Sequence, residues 1–231
     1  MAIDTASFEA SQRAAIDLLR ETRVLPVVTV DSAEQGVATA RALLEGGLTA
    51  IEVTLRTPAA LDAIAAIRRE VPGIALGVGT VLNTRQITQS RDAGAAFLVT
   101  PGTPPALAQA LAESGLPAVP GAATPSELIA LASIGFRVAK LFPAAVIGGV
   151  ALIRALRGSL GDLLLCPTGG ISEADAPTYL AEKNVVAIGG SWMVRADWLA
   201  AGKFADVTES ARRAKAAVSA YQLSTGWPIR S

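Results

Sequence analysis

Short apolar runs alternate along the chain with longer stretches in which apolar residues recur at helical spacing. The runs are rich in β-branched residues and show little alternation with polar ones, which is typical of strands buried on both faces. They recur at roughly 20 to 26 residues, the spacing of strand–helix units. Eight strands are predicted, over residues 24–30, 50–55, 75–80, 97–101, 117–121, 137–145, 163–168 and 185–190.

Capping and turn residues mark the intervening helices. A helix over residues 8–23 precedes the first strand, and the N-cap residues Ser32, Asn83 and Thr124 open later ones. Near the end of the chain, helices are predicted from Ser172 to Glu182, over about 191–199 and over about 204–223.

The regular alternation predicts the fold class. Eight strand–helix units in about 200 residues are typical of a (β/α)₈ TIM barrel, here with an extra N-terminal helix. The alternative is an open, doubly wound sheet, but no G-x-G-x-x-G turn follows the first strand. No segment resembles a linker, so one domain is predicted over residues 1–231.

Composition and charge exclude several functional classes. The chain is 51% hydrophobic, and its 20 lysines and arginines balance 20 acidic residues, so no basic surface for nucleic acid is expected. The longest uncharged stretch, 93–112, is broken by three prolines and predicts no membrane span. The first residues lack a charged segment followed by an apolar one, so no secretory signal is expected. The single Cys166 excludes an intrachain disulfide and favours a cytoplasmic location.

The absence of histidine narrows the chemistry further. It excludes Ser-His-Asp and Cys-His nucleophiles and histidine-ligated zinc. No cluster of acidic residues suggests a magnesium site, and no metal or cofactor is predicted. General acid–base catalysis must then fall to carboxylates, tyrosine or lysine.

One lysine lies inside a predicted strand. In RVAKLFPAA (137–145), Val138, Lys140 and Phe142 share one face of the strand. A buried ammonium is costly unless it is paired or loses its proton. Lys140 is therefore a candidate catalytic amine; the alternatives are a lysine at the strand end that reaches solvent, or half of a buried salt bridge.

Polar residues gather where the strands end, which is where barrels carry their chemistry. Glu52 and Arg56 share a face of the second strand, so a carboxylate and a guanidinium are expected together at the barrel mouth. One interpretation is that Glu52 and Arg56 form a surface ion pair with each other. The alternative is that Glu52 pairs with Lys140 and Arg56 binds a substrate. Thr80 ends the third strand and Thr168 the seventh.

Two glycine-rich turns follow the seventh and eighth strands. They are TGGIS (168–172) and GGS (189–191), and each is predicted to lead directly into a helix. Backbone N–H groups at helix N-termini bind phosphate, and barrels often place this site after strands seven and eight. The two turns together predict a phosphate-binding site.

These parts fit one mechanism. A lysine amine kept uncharged by apolar walls and a nearby guanidinium can add to a ketone and form a Schiff base, which accepts electrons during C–C cleavage. Glu52 is placed to shuttle protons, and Arg56 with Thr80 to hold a carboxylate. A 2-keto acid with a phosphate at its other end would use every one of these groups.

At these residues the chain resembles the 2-keto-3-deoxy-6-phosphogluconate (KDPG) and 4-hydroxy-2-oxoglutarate aldolases, class I Schiff-base enzymes on a (β/α)₈ barrel. The resemblance covers nearly the whole predicted barrel. The matching stretches are EVTLRTP (52–58), GVGTVLN (77–83), TPGT (100–103), KLFPA (140–144), CPTGGIS (166–172) and IGGSWM (188–193).

The resemblance implies an activity and a role for each site residue. It implies reversible cleavage to pyruvate and glyceraldehyde 3-phosphate without metal in a homotrimer, and many members also cleave 4-hydroxy-2-oxoglutarate. Lys140 would form the Schiff base and Glu52 accept protons. Arg56 and Thr80 would hold the pyruvate carboxylate, Pro101 and Phe142 line its pocket, Thr168 lie near the sugar hydroxyls, and Gly169, Gly170, Gly190 and Ser191 hold the phosphate.

Two stretches depart from the family pattern. Ala145, Val146 and Ile147 follow KLFPA where an acidic and then a polar residue are usual, and PGAATPSE (120–127) replaces PGISTPSE. Substrate preference or subunit contacts are expected to differ at the first stretch. The alternative functions are a phosphosugar isomerase or epimerase and a catalytically silent barrel that serves assembly or binding, with the apolar loop 144–147 as a possible interface.

Overall fold

The computed structural model describes residues 3–225, with side chains up to 218. Strands and helices alternate after a first helix, as the sequence pattern predicts. The strands are β1 Val24–Val28, β2 Ala50–Thr54, β3 Ala75–Gly79, β4 Phe97–Val99, β5 Ala118–Val119, β6 Gly121–Ala122, β7 Val138–Leu141, β8 Leu164–Pro167 and β9 Ile188–Gly190. The helices are α1 Thr5–Thr22, α2 Ala33–Glu45, α3 Ala60–Glu70, α4 Thr84–Asp92, α5 Pro105–Glu113, α6 Pro125–Ile134, α7 Gly149–Ser159, α8 Ala176–Leu180, α9 Ala196–Ala200 and α10 Phe204–Thr225.

The predicted helix caps are confirmed where helices follow strands closely. The Ser32 hydroxyl accepts a hydrogen bond from Gln35 N–H at the start of α2, and the Asn83 side chain accepts one from Gln86 N–H at the start of α4. Thr124 and Glu127 form a reciprocal capping box that opens α6. These caps fix where the chain turns back after each strand.

All strand pairs are parallel. Six strands lie in the order β5-β4-β3-β2-β1-β9, and three in the order β6-β7-β8. Isolated bridges join Leu165 to Val185 and Thr168 to Gly189, so β8 runs beside the segment that leads into β9. The sheet curls, because side chains of β2 and β7, which belong to the two different sheets, are in hydrogen-bond contact.

The predicted fifth strand, 117–121, is divided. Pro120 separates β5 from β6, since a proline has no N–H to donate to a neighbouring strand. Its carbonyl still accepts the Lys140 backbone N–H at 2.8 Å. The break therefore leaves β7 attached to this segment at the residue that carries the candidate amine.

Two predicted helices begin later than expected. The chain forms turns after both glycine-rich segments, and α8 begins at Ala176 rather than Ser172. Pro177 is tolerated only in a first helical turn, which agrees with the later start, and Gly169 and Gly170, with φ of 98° and 75°, form a non-helical turn before Ser172. Likewise, α9 begins at Ala196 rather than near Ser191. The glycine turns are thus open loops and not helix N-termini.

The apolar residues pack in two clusters. A large cluster lies between the strands and the surrounding helices. A smaller one, the interior cluster, takes its strand residues from both sheets and is covered by α1. It comprises Ala15, Leu19, Leu25, Ala50, Phe97, Val99, Val119, Val138, Cys166, Val186 and Ala187.

An arginine that the sequence pattern does not single out anchors α1. Arg23 is fully buried, and its guanidinium donates to the carbonyls of Leu180, Val185 and Val186 at 3.2, 3.1 and 2.7 Å. It therefore joins the end of α1 to the segment between α8 and β9. Within residues 3–225, every helix is too short or too polar to cross a lipid bilayer.

Candidate active site

The side chains of Lys140 and Glu52 meet above the interior cluster. The Lys140 Nζ lies 3.1 Å from Glu52 Oε1 and 3.4 Å from Oε2. Lys140 is two residues beyond Val138 and Glu52 two beyond Ala50, so both follow an interior-cluster residue on the same strand face. The predicted face of each strand is confirmed, and the partner of Glu52 is Lys140 rather than Arg56.

The pair is almost completely buried. The Lys140 side chain is 5% exposed and that of Glu52 1%. Strand β3 makes room for the carboxylate, because a methyl group at Gly79 would overlap Glu52. Two residues earlier on β3, Gly77 leaves similar room for the ring of Phe97 on β4. The glycines of β3 therefore let side chains of neighbouring strands enter the interior.

The surroundings of the pair are apolar on the side away from solvent. Cys166 lies beside Lys140 in the β7–β8 register and is 2% exposed. Burial raises the pKa of the Cys166 thiol to about 12, while the Lys140 ammonium pulls that pKa down and the Glu52 carboxylate pushes it up. The thiol is neutral at physiological pH and acts as a small apolar group.

A pocket of about 510 Å³ opens above the pair at the carboxyl ends of the strands. This volume is in the usual range for small-molecule sites. The candidate residues that line it are Arg56, Lys140, Phe142, Thr168, Gly169, Gly170, Gly190 and Ser191, and the residues that sequence reasoning missed are Val27, Thr29, Ile171, Gly189, Trp192, Val194, Arg195, Ala196 and Asp197.

Three candidate residues lie outside this lining: the buried Glu52, Thr80 and Pro101. Thr80 follows β3 and Pro101 follows β4, at the same edge of the sheet, and both are half-buried. Thr80 has a φ of 59°, which is unusual for a β-branched residue. Backbone atoms of Pro101 pack closely against Gly121, the register partner of Lys140. Both residues remain predicted members of the site.

Arg56 lies at the rim with its guanidinium available. It is exposed, and among the described residues no hydrogen bond or ion pair joins it to another side chain. Thr54, which precedes it on the same face, is engaged with β1 instead, through Thr29 Oγ1 at 2.9 Å and the Val28 carbonyl at 3.0 Å. A fork-shaped cation without a carboxylate partner suits an anionic ligand.

The two glycine turns present backbone donors to the pocket. In residues 3–225, no carbonyl accepts the N–H groups of Gly170 or Ser191. The first turn packs against the site, since a methyl group at Gly169 would lie 3.1 Å from the Phe142 ring. The Lys140 Nζ lies 5.5 Å from the centre of that ring. Unpaired N–H groups in positive-φ turns form anion-binding concavities without needing a helix.

The loop that departs from the family pattern lies beside the pocket and does not line it. Val146 is 80% exposed, whereas Ala144 is buried. No group of three or more His, Cys, Asp or Glu residues within 3–225 has a geometry that could hold a metal.

Comparisons with known proteins point to one family. A family model described as "KDPG and KHG aldolase" matches residues 15–210. The KHG/KDPG aldolase of Escherichia coli (strain K12) is 46% identical over 191 residues, which are 83% of this chain and 90% of that protein.

Two solved structures are also similar. A KDPG aldolase from Legionella pneumophila, with pyruvate captured as a covalent carbinolamine intermediate, aligns with a TM-score of 0.84 and 34% identity over 86% of this chain and 96% of that one. The 2-keto-3-deoxy-6-phosphogluconate aldolase of Zymomonas mobilis ZM4 with 3-phosphoglycerate aligns with a TM-score of 0.83 and 36% identity over 88% and 95%.

Proposed function

The chain belongs to the KDPG and KHG aldolase family, and from this premise we propose that it is a class I aldolase whose Schiff base forms on Lys140. It cleaves 2-keto-3-deoxy-6-phosphogluconate reversibly to pyruvate and glyceraldehyde 3-phosphate, and also 4-hydroxy-2-oxoglutarate to pyruvate and glyoxylate. The observation that carries this proposal is the buried Lys140 amine, 3.1 Å from a carboxylate beneath an open pocket.

The buried pair supplies the uncharged amine that the reaction needs. Burial removes the water that would stabilise both charges. Transfer of one proton from the Lys140 ammonium to the adjacent Glu52 carboxylate leaves an amine next to a carboxylic acid. The amine can then attack the C2 carbonyl of a keto acid bound above it.

Glu52 then moves one proton through the remaining steps. It protonates the carbinolamine hydroxyl, which leaves as water and gives the iminium. It next removes the C4 hydroxyl proton, and the electron pair of the C3–C4 bond passes into an enamine while the aldehyde departs. C3 takes up a proton, and water hydrolyses the imine to release pyruvate and the free amine.

Other residues in and beside the pocket hold the two ends of the substrate in this proposal. Arg56 and Thr80 bind the carboxylate, with Phe142 and Pro101 beside it, because a guanidinium fork matches a carboxylate. Thr168 binds a sugar hydroxyl. The phosphate binds at the two turns, at Gly169, Gly170, Gly190 and Ser191, where the N–H groups of Gly170 and Ser191 have no carbonyl partner.

We also propose that the whole chain is one domain, a closed (β/α)₈ barrel with α1 as an addition. The backbone bonds at Pro120 and the bridges between β8 and the segment before β9 support closure of the sheet. The protein is proposed to be a cytoplasmic homotrimer, as the family resemblance implies.

Reduction with sodium borohydride in the presence of pyruvate tests the catalytic proposal. We expect a pyruvyl adduct on Lys140, found by peptide mass spectrometry, and neither adduct nor turnover in Lys140→Arg. Lys203→Arg, which changes an exposed lysine outside the pocket lining, is the matched control and keeps both. A phosphosugar isomerase or a silent scaffold would yield no adduct in the wild-type protein, and that result would refute the proposal.

A further inference from the structure

Three cations line the pocket, and the proposed function uses only two of them. Lys140 forms the imine and Arg56 binds the carboxylate, which leaves Arg195 without a role. Among the described residues that line the pocket, the only carboxylate is Asp197. The substrate of the proposed reaction carries three groups that could bind these cations: a ketone, a carboxylate and a phosphate. With the ketone at Lys140 and the carboxylate at Arg56, the phosphate remains for Arg195.

The backbone fixes Arg195 beside the second glycine turn. Gly190 ends β9, and Val194 N–H donates to the Ser191 carbonyl at 3.1 Å, which closes the turn. Arg195 then caps α9, and its carbonyl accepts two N–H groups of that helix at 3.1 Å. The side chain therefore starts from a fixed point on the same loop as the proposed phosphate donors.

Two neighbours orient the guanidinium. Arg195 Nε and Nη2 each lie 3.0 Å from a different oxygen of Asp197, and the guanidinium carbon lies 5.3 Å from the centre of the Trp198 ring. A guanidinium has five N–H donors, and this bidentate pair occupies only two of them. The remaining donors can bind a second anion without breaking the pair with Asp197.

We propose that Arg195 binds the terminal phosphate of the substrate and sets a preference for phosphorylated over unphosphorylated aldehydes. This inference rests on the proposed aldolase function and assigns a residue to one end of its substrate. Arg195 adds a full positive charge where the glycine turns offer only partial charges, and a phosphate dianion gains most from that addition. Asp197 and Trp198 are positioning residues, since they act through Arg195.

The assignment has a consequence for the shorter substrate. In 4-hydroxy-2-oxoglutarate the distal carboxylate is attached directly to C4, whereas the phosphate of 2-keto-3-deoxy-6-phosphogluconate is attached through C6. When the imine fixes C2 at Lys140, the two distal anions lie at different distances from it. Arg195 serves the longer molecule, so the phosphorylated sugar acid is the preferred substrate class.

The test compares two aldehydes that differ only in the phosphate. Aldol addition of pyruvate to glyceraldehyde 3-phosphate and to glyceraldehyde is measured in the wild type, in Arg195→Gln and in Arg195→Lys. We expect Arg195→Gln to lower kcat/KM for the phosphorylated aldehyde roughly 10- to 100-fold, the usual range for a hydrogen bond to a charged group, with no change for glyceraldehyde. Arg195→Lys keeps the charge without the fork and falls in between.

The matched control is Arg212→Gln. Arg212 forms a comparably exposed ion pair, 2.6 Å from Glu209 on α10, and does not line the pocket. This variant should keep the wild-type ratio for the two aldehydes. Because each ratio comes from one preparation, a variant that folds less well lowers both rates and leaves the ratio intact.

Two results would overturn the inference. One is a wild type without preference for the phosphorylated aldehyde. The other is an Arg195→Gln protein that keeps the preference or loses both activities equally, as a purely structural arginine would. Borohydride trapping of pyruvate, run on the same samples, separates this failure from failure of the aldolase proposal, which predicts an adduct in every variant that retains Lys140.

Discussion

Two ion pairs border the same pocket and differ chiefly in their contact with water. Lys140–Glu52 and Arg195–Asp197 both have nitrogen–oxygen distances near 3 Å, at 3.1 and 3.0 Å. The side chains of the first pair are 5% and 1% exposed, and those of the second are 55% and 61% exposed. The two pairs thus have similar nitrogen–oxygen distances, but one is shielded from water and the other is surrounded by it.

The difference explains why the two pairs suit different tasks. Without water, the charged and the proton-transferred forms of a pair become closer in free energy, so the buried pair can exchange a proton during a reaction. In water both partners stay charged, and their attraction is weak and screened. The buried pair is suited to chemistry and the exposed pair to recognition of a charged ligand.

The largest expected effect comes from removing proton transfer at the buried pair. Glu52→Gln keeps the size of the side chain and a hydrogen bond to Lys140 but accepts no proton. We expect turnover to fall by about 10²- to 10⁴-fold, the usual contribution of a positioned acid–base group. Steady-state cleavage of 2-keto-3-deoxy-6-phosphogluconate measures it.

Glu182→Gln is the control for this change. Glu182 is also a buried carboxylate in an ion pair, 2.8 Å from Arg154, and does not line the pocket. Its variant should retain wild-type turnover. Equal losses in the two variants would show that burial of a carboxylate, rather than its contact with Lys140, determines the effect.

A stability measurement sharpens the comparison at the same pair. Glu52→Ala leaves the Lys140 ammonium buried without a partner and should lower the free energy of unfolding by about 3–5 kcal/mol. In the double variant Glu52→Ala, Lys140→Met no charge remains, and most of that loss should be recovered. Urea unfolding of the wild type and both variants gives the three values; a double variant as unstable as Glu52→Ala would contradict the explanation.

Cys166 reports on how well water is excluded next to the buried pair. Its raised pKa predicts that iodoacetamide leaves the native protein unmodified at pH 8 and labels it in urea. An unfolded thiol has an ordinary value near 9.0 and loses its proton before the native one at about 12, so stability should fall as pH rises between these values. Modification of Cys166 in the native protein at the rate of a free thiol would show that water reaches the residues around the buried pair.

The smallest effect is expected at the exposed pair. The single variants Arg195→Ala and Asp197→Ala and the double variant form a cycle of unfolding free energies. We expect no coupling above experimental error, because solvent screens both charges. A coupling energy as large as that of Lys140–Glu52 would mean that Arg195–Asp197 stabilises the fold, and the two pairs would then not differ in the way described above.

The contact between Lys140 and Glu52 could be predicted because it depends only on strand periodicity. Two-residue spacing places Lys140 and Glu52 on the faces that the structure confirms, and strand ends place Arg56 and Thr168 at the pocket. The alternation of strands and helices predicted the α/β class, and the structure has an α/β fold with a curled parallel sheet.

Loop conformation could not be predicted in the same way. The helix expected from Ser172 begins only at Ala176, after a turn in which Asp175 N–H donates to the Ser172 hydroxyl. Pro177, which suits a first helical turn, was a signal of this later start. Arg195 carried no signal at all, since its place in the pocket depends on the turn that precedes α9. The burial of Arg23 likewise depends on carbonyls that are distant in the sequence.

The lack of a side chain at Gly79 determines where the Glu52 carboxylate can lie. The Glu52 carboxylate occupies space that any side chain at position 79 would claim. A single methyl group there would shift the Glu52 carboxylate relative to the Lys140 amine without altering the chemical identity of either. Position 79 is therefore the place at which a redesign of this protein could change the distance between the carboxylate and the amine.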